Sequence, residues 1–120
     1  MRIFYAPGSD PVLRSTQSDL ADMRDAILDF ADSSQGRTAL AARVTGSAAP
    51  YEALLNGLRI LKGDVVHLEV SQDRWIELES PVDGIREFAR RLYSGDLEGH
   101  RHWYSNPTSL IIETEGEDEI

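Results

Sequence analysis

Apolar residues recur along this chain with two periods, and each period marks a different kind of element. Helical spacing appears twice. In TQSDLADMRDAILDFADSS, Leu20, Met23, Ile27, Phe30 and Ala31 fall on one face, and Thr16 and Asp19 stand at capping-box spacing ahead of them. In SPVDGIREFARRLYSGD, Ile85, Phe88, Ala89 and Leu92 make a second stripe. Ser80 is placed as its cap, Pro81 in its first turn, Asp83 three residues after the cap and Gly95 near its end.

Strand-like runs fill the rest. RIFYA is an aromatic and β-branched run that PGSDP cuts off, so a first strand should lead through a turn directly into the first helix. RTALAARVTG alternates Leu40, Ala42 and Val44 against Arg43, as a half-buried strand does. SAAPYEALLNG reads as a connection with one helical turn after Pro50, stopped by Gly57, before LRILKGD resumes as a strand.

Two hairpins follow from alternation. In DVVHLEVSQDRWIELES, a three-residue loop of Ser71, Gln72 and Asp73 pairs Leu68 with Ile76 and Val66 with Leu78 inside. The same register sets Glu69 opposite Trp75 and His67 opposite Glu77 outside. In GHRHWYSNPTSLIIETEGEDEI, a five-residue loop from Ser105 to Ser109 pairs Arg101 with Glu113 and Trp103 with Ile111. A four-residue loop instead sets Arg101 beside Ile112, a poorer match of charge and burial. The pattern predicts an α+β fold: a mainly antiparallel sheet of five to six strands with two helices packed on one face. It is one domain over residues 1–120, with no internal repeat and with residues 114–120 as a frayed acidic tail.

Composition narrows the function. A chain of 120 residues, 41% of them hydrophobic, suits one core. Its 21 acidic residues against 12 basic ones give a net charge of −9, which argues against nucleic acid or an anionic membrane as partner and favours a basic one. An acidic surplus also serves solubility alone. With no cysteine there is no disulfide, thiolate ligand or thiol nucleophile. The opening MRIFYAPGSD has too short an apolar run for an export signal, and no run of about 18 apolar residues occurs, so a cytoplasmic location is expected.

Candidate chemistry is sparse. Asp22, Asp25, Asp29 and Asp32 line the polar side of the first helix, either as a solvated face or as a ridge that meets a partner. Arg86, Arg90 and Arg91 form the largest basic cluster, favourably placed toward the C-terminus of the second helix. His100 and His102 point to one face of a strand, and with His67 they have the ligand count of a catalytic zinc site; packing on aromatics, or pairing with carboxylates such as Glu77, is the competing reading. Glu77 and Glu79 are paired carboxylates with nothing evident to hold their protonation states apart. There is no Walker loop, dinucleotide fingerprint or nucleophile elbow.

From about residue 50 onward, PYEALLNGLRILKGDVVHLEV, WIELESPVDGIREFARRL, GHRHWY and SLIIE, in that order, resemble members of the immunity protein 32 family of bacterial polymorphic toxin systems. The shared elements are an alternating strand, a helix opened by SP, an H-x-H strand and a final Ser followed by apolar residues and Glu. The resemblance implies a protein that binds and neutralises a cognate toxin by direct occlusion, without catalysis or cofactor; the sequence is compatible with a monomer or a homodimer when free, since an exposed strand edge serves either. Many such toxins cut nucleic acids and carry basic clefts. On this chain the matching surface is Trp75 with Glu69, Glu77 and Glu79, or the ridge Asp22, Asp25, Asp29 and Asp32. The alternatives are a small metal-dependent enzyme using His67, His100 and His102, and a regulatory interaction module.

Overall fold

The computed structural model describes residues 1–93 and 99–115. Among these the elements run β1 (Arg2–Tyr5), β2 (Val12–Thr16), α1 (Gln17–Asp32), β3 (Arg37–Ala41), β4 (Ala53–Leu54), β5 (Gly57–Lys62), β6 (His67–Val70), β7 (Trp75–Ser80), α2 (Val82–Leu92), β8 (His100–Trp103) and β9 (Leu110–Glu115). The fold is α+β, but the strands form two mixed sheets instead of one mainly antiparallel sheet. A five-stranded sheet has the order β4-β1-β2-β9-β8, and a four-stranded sheet the order β3-β5-β7-β6. At the centre of each is a parallel pair, β2 with β9 and β5 with β7. Parallel neighbours need a crossover of about a dozen residues or more: β2 and β9 come from opposite ends of the chain, while β5 and β7 are joined through residues 63–74, which include β6.

Both helices bury the stripes that their periodicity marks. Leu20, Met23, Ile27, Phe30 and Ala31 of α1 and Ile85, Phe88, Ala89 and Leu92 of α2 join the inward residues of both sheets in one apolar cluster. No helix among the described residues is long and apolar enough to cross a membrane.

Several local expectations are corrected. VLRST, between Pro11 and α1, is a strand, so β1 does not lead straight into the helix. No helical turn follows Pro50; Ala53 and Leu54 pair with Tyr5 and Phe4. Val44 is 52% exposed and lies beyond the end of β3. Ser80 is not a helix cap: it ends β7 fully buried, its hydroxyl donating to the Pro81 carbonyl at 2.8 Å, and Pro81 takes the cap position with no side-chain bond. Gly95 and residues 116–120 lie outside the described residues, whereas Thr114 and Glu115 belong to β9 and not to a tail.

Both hairpins shift in register: the first by two residues, which keeps the expected faces, and the second by one, which turns the faces of β8 and β9 over relative to each other. In the first, Leu68 pairs with Leu78, Val70 with Ile76, Glu69 with Glu77 and His67 with Glu79, leaving Val66 49% exposed. The loop does have three residues, but they are Gln72, Asp73 and Arg74. Arg74 takes the left-handed conformation (φ 67°) that such a loop needs in its last position, and its N–H donates to the Ser71 carbonyl at 3.0 Å. In the second, Arg101 pairs with Ile112 and Trp103 with Leu110, the register of the four-residue alternative. The apparent mismatch at Arg101 is resolved by α2: the guanidinium donates to the carbonyls of Arg91 (2.6 Å) and Leu92, satisfying orphan acceptors at the helix C-terminus.

The sheets also hold an internal repeat that the sequence does not announce. Each half runs hairpin, helix, hairpin. β1–β2 and β6–β7 are antiparallel pairs, each followed by a helix, and β3–β5 and β8–β9 are antiparallel pairs that follow those helices. Each second hairpin crosses to the other half, giving β2 parallel to β9 and β7 parallel to β5. Positions 65 apart match in role: Ile3 and Leu68, Leu13 and Leu78, Leu20 and Ile85, Ile27 and Leu92 are all buried apolar residues. Ser15 and Ser80, the buried polar pair among the described residues, stand at the same offset.

The start of α1 carries a test of its own. Asp19 accepts from the Ser15 hydroxyl at 2.7 Å and from the chain's amino terminus at 3.2 Å, while its N–H donates to the Thr16 hydroxyl at 3.2 Å. The Ser15 bond and the terminal ammonium hold the carboxyl below its ordinary range, against an opposing effect of burial. A carboxyl with a lowered folded-state pKa stabilises the fold above its unfolded-state pKa, and that stability is lost as pH falls through the folded value. Asp19→Asn should therefore lower the urea midpoint at neutral pH, with the gap to wild type closing as pH drops through the carboxylate range. A gap independent of pH would show that the carboxylate charge is not what matters.

Candidate functional site

Alternation sends Glu69, Glu77, Glu79 and Trp75 to the outer face of the four-stranded sheet, since Leu68, Ile76 and Leu78 between them are in the core. The face is largely self-compensated. Arg59 on β5 sits between carboxylates, with Glu77 at 2.6 Å and Asp73 at salt-bridge distance, and its guanidinium carbon lies 4.8 Å from the centre of the Trp75 ring. Hydrogen bonds from Arg59 first, then Ser71, pull the Asp73 pKa down. The same bonds, to Asp73 and then Glu77, push the arginine up. On its other side the Trp75 ring covers Gly57, where an added Cβ would stand 2.5 Å from Cζ3. The tryptophan is thus half-buried between backbone and guanidinium. Glu69 faces Glu77 across the ladder and takes His67 Nε2 at 2.7 Å; Glu79 lies opposite His67 and against Gly63.

The acidic residues of α1 make a more open surface. Asp22, Asp25, Asp29 and Asp32 are all exposed along one side of the helix, opposite its buried stripe. Asp25 is paired with its neighbour Arg24 at 2.9 Å, and Asp32 with Arg86 of α2 at 2.7 Å. Arg86 also reaches Asp83 at 3.3 Å, and its pKa is raised, chiefly by the bond to Asp32. Asp22 and Asp29 have no ion-pair partner among the described residues. Because α1 packs on the inner faces of the strands, the two acidic sets expected from the sequence do not merge into one surface: one lies on the helix layer, the other on the far side of a sheet.

The three histidines are not assembled into a zinc site. His67 is on β6 of the four-stranded sheet, His100 and His102 on β8 at the edge of the five-stranded one. Among the described residues, no group of three or more His, Cys, Asp or Glu is placed to hold a metal ion. His100 Nε2 lies 3.0 Å from His102 Nε2, and His100 Nδ1 lies 3.2 Å from Glu113 Oε2. The other carboxylate oxygen of Glu113 accepts from Arg14 at 2.7 and 3.0 Å. Burial alone would raise the Glu113 pKa, but the bonds from Arg14 and His100 outweigh it and bring it below its ordinary value. Tyr104, 77% exposed, stacks on His102 with ring centres 5.3 Å apart and planes 7° from parallel.

Sequence reasoning missed Arg14, Glu113, Arg59 and Asp73. Arg14 and Glu113 are 99 residues apart and meet only because β2 pairs with β9, a contact between strands at opposite ends of the chain. A cleft of about 270 Å³, lined by Tyr5, Glu52, Val70 and Arg74 among others, opens where β1 approaches the β6–β7 turn; neither the acidic sets nor His100 and His102 line it. Compared with protein-family models, curated proteins and solved structures, the chain matches none.

Proposed function

We infer that this chain is a binding protein that neutralises a bacterial toxin by covering a basic site on it, with the α1 ridge as its main docking surface. The carrying observation is the row Asp22, Asp25, Asp29 and Asp32 on one exposed helix face, two of them without a counter-ion among the described residues. On a chain of net charge −9, such a row accelerates encounter with a basic surface and aligns it. The resemblance to the immunity protein 32 family supplies the partner class, and on this reading the protein acts in the cytoplasm of the producing cell without catalysis or cofactor. Trp75 is the aromatic anchor of a secondary surface, already braced by Arg59 and so lower in conformational cost on binding.

The test uses the toxin domain that this reading expects to be encoded beside this chain. Its association should slow steeply as salt rises, because exposed charges are screened beyond about 8–10 Å at physiological ionic strength. Changing Asp22, Asp25, Asp29 and Asp32 together to Asn should cut the association rate by about tenfold or more with little change in dissociation. Glu69→Gln should leave it nearly unchanged. Absence of binding, or a rate indifferent to salt and to the four changes, would refute the reading.

A further inference from the structure

We propose that His100 and His102 form a two-imidazole chelating site for a late first-row divalent metal ion such as zinc, with Glu113 as the carboxylate that orients His100. The two histidines stand on the outer face of the edge strand β8, and register places His100 directly across from Glu113 on β9. Glu113 is itself fixed, one oxygen on Arg14 and the other 3.2 Å from His100 Nδ1. A His100 tautomer that donates Nδ1–H to this carboxylate turns its Nε2 lone pair toward His102. This is the usual arrangement behind a metal-bound imidazole, where a carboxylate on the far nitrogen sets ring orientation and raises basicity.

Bite distance fits as well. Zinc–imidazole bonds of about 2.0–2.1 Å put two nitrogens about 2.9 Å apart at a right angle and about 3.3 Å apart at the tetrahedral angle. The two Nε2 atoms are 3.0 Å apart, inside that interval, so an ion can bridge them with little ring movement. Tyr104 holds the second ring in place by stacking, and the positive charge of Arg14 is balanced by Glu113. Imidazole donors select zinc, copper or nickel over magnesium or calcium. Two protein ligands leave further coordination positions for water or for a donor from a bound partner. The site is separate from the α1 ridge, so its failure and the failure of the toxin-binding reading are distinguishable.

Tag-free chain titrated with zinc chloride by calorimetry, with imidazole nitrogen chemical shifts read in parallel, tests this. One zinc per chain is expected, with the shifts placing it on Nε2 of both His100 and His102. His102→Ala should abolish saturable uptake, His67→Ala should leave it unchanged, and Glu113→Gln should keep Nε2 coordination while weakening affinity by about tenfold or more. Magnesium should not compete. Zinc affinity that survives His102→Ala, depends on His67, or yields to magnesium would overturn the proposal.

Discussion

Phe88→Ala should lower the free energy of unfolding by about 3–5 kcal/mol, the range for removing a large aromatic side chain from a core. Phe88 is fully buried in the cluster where both helices and both sheets meet, and its ring meets Trp103 edge-on with centres 5.4 Å apart and planes at 83°. Truncation removes the transfer energy of the ring and leaves a cavity that helices pinned from both sides cannot close. It also removes the edge-to-face contact, which contributes about 0.5–1.5 kcal/mol beyond burial. Domains of this size have only about 5–15 kcal/mol in total, so the variant should be partly unfolded at modest denaturant or temperature. A denaturant midpoint within error of wild type would mean that this core is packed differently from the description above.

Gly57→Ala carries the second large effect, and here the damage comes from adding an atom. Gly57 lies between Ala41 of β3 and Trp75 of β7, and its absent side chain is what lets the indole lie flat on β5. A Cβ there would collide with the Leu40 carbonyl oxygen on one side and stand 2.5 and 2.9 Å from two Trp75 ring carbons on the other. One obstacle is backbone, so the ring must leave, and with it the Arg59 stacking. Overpacking costs about 1–3 kcal/mol, and a site closed on both sides should fall at the upper end. In a Trp103→Phe background the displaced Trp75 should report itself as a red-shifted emission. An unshifted spectrum with unchanged stability would contradict this placement.

The two helices were legible because their information is local. Leu20, Met23 and Ile27, like Ile85, Phe88 and Leu92, repeat at a period no strand shares, and Thr16 accepts from the Asp19 N–H at 3.2 Å, as its capping spacing implies. Strand faces were legible for the same reason. Registers were not. In the first hairpin a shift by two residues keeps every side chain on its face, so the choice fell to the turn, where Arg74 and not Asp73 took the left-handed slot. In the last, a shift by one set Arg101 against Ile112 because α2 offers its guanidinium carbonyl partners that no local pattern shows. β2 was hidden because its last residue, Thr16, is itself the cap of α1, so no turn residue separates the strand from the helix.

The parallel pairings were out of reach altogether, and with them the Arg14–Glu113 and Arg59–Glu77 bridges. The repeat escaped because its halves agree in burial and not in identity: Met23 stands where Phe88 does, and Leu40 where Trp103 does. Of the site residues, the exposure of the Asp ridge was foreseen. The outward placement of Trp75 was also foreseen, but not the Arg59 that covers it.

The exchange of hairpins between halves has a bearing on how the molecule comes into being. β9 lies between β2 and β8, so the five-stranded sheet has a gap at its heart until residues 110–115 have left the ribosome. A nascent chain shorter than that exposes the long side of β2 and an uncovered apolar layer, the conditions under which chaperones are recruited and premature stop codons are most damaging. Losing the final few strand residues should therefore injure this protein as gravely as deleting a helix.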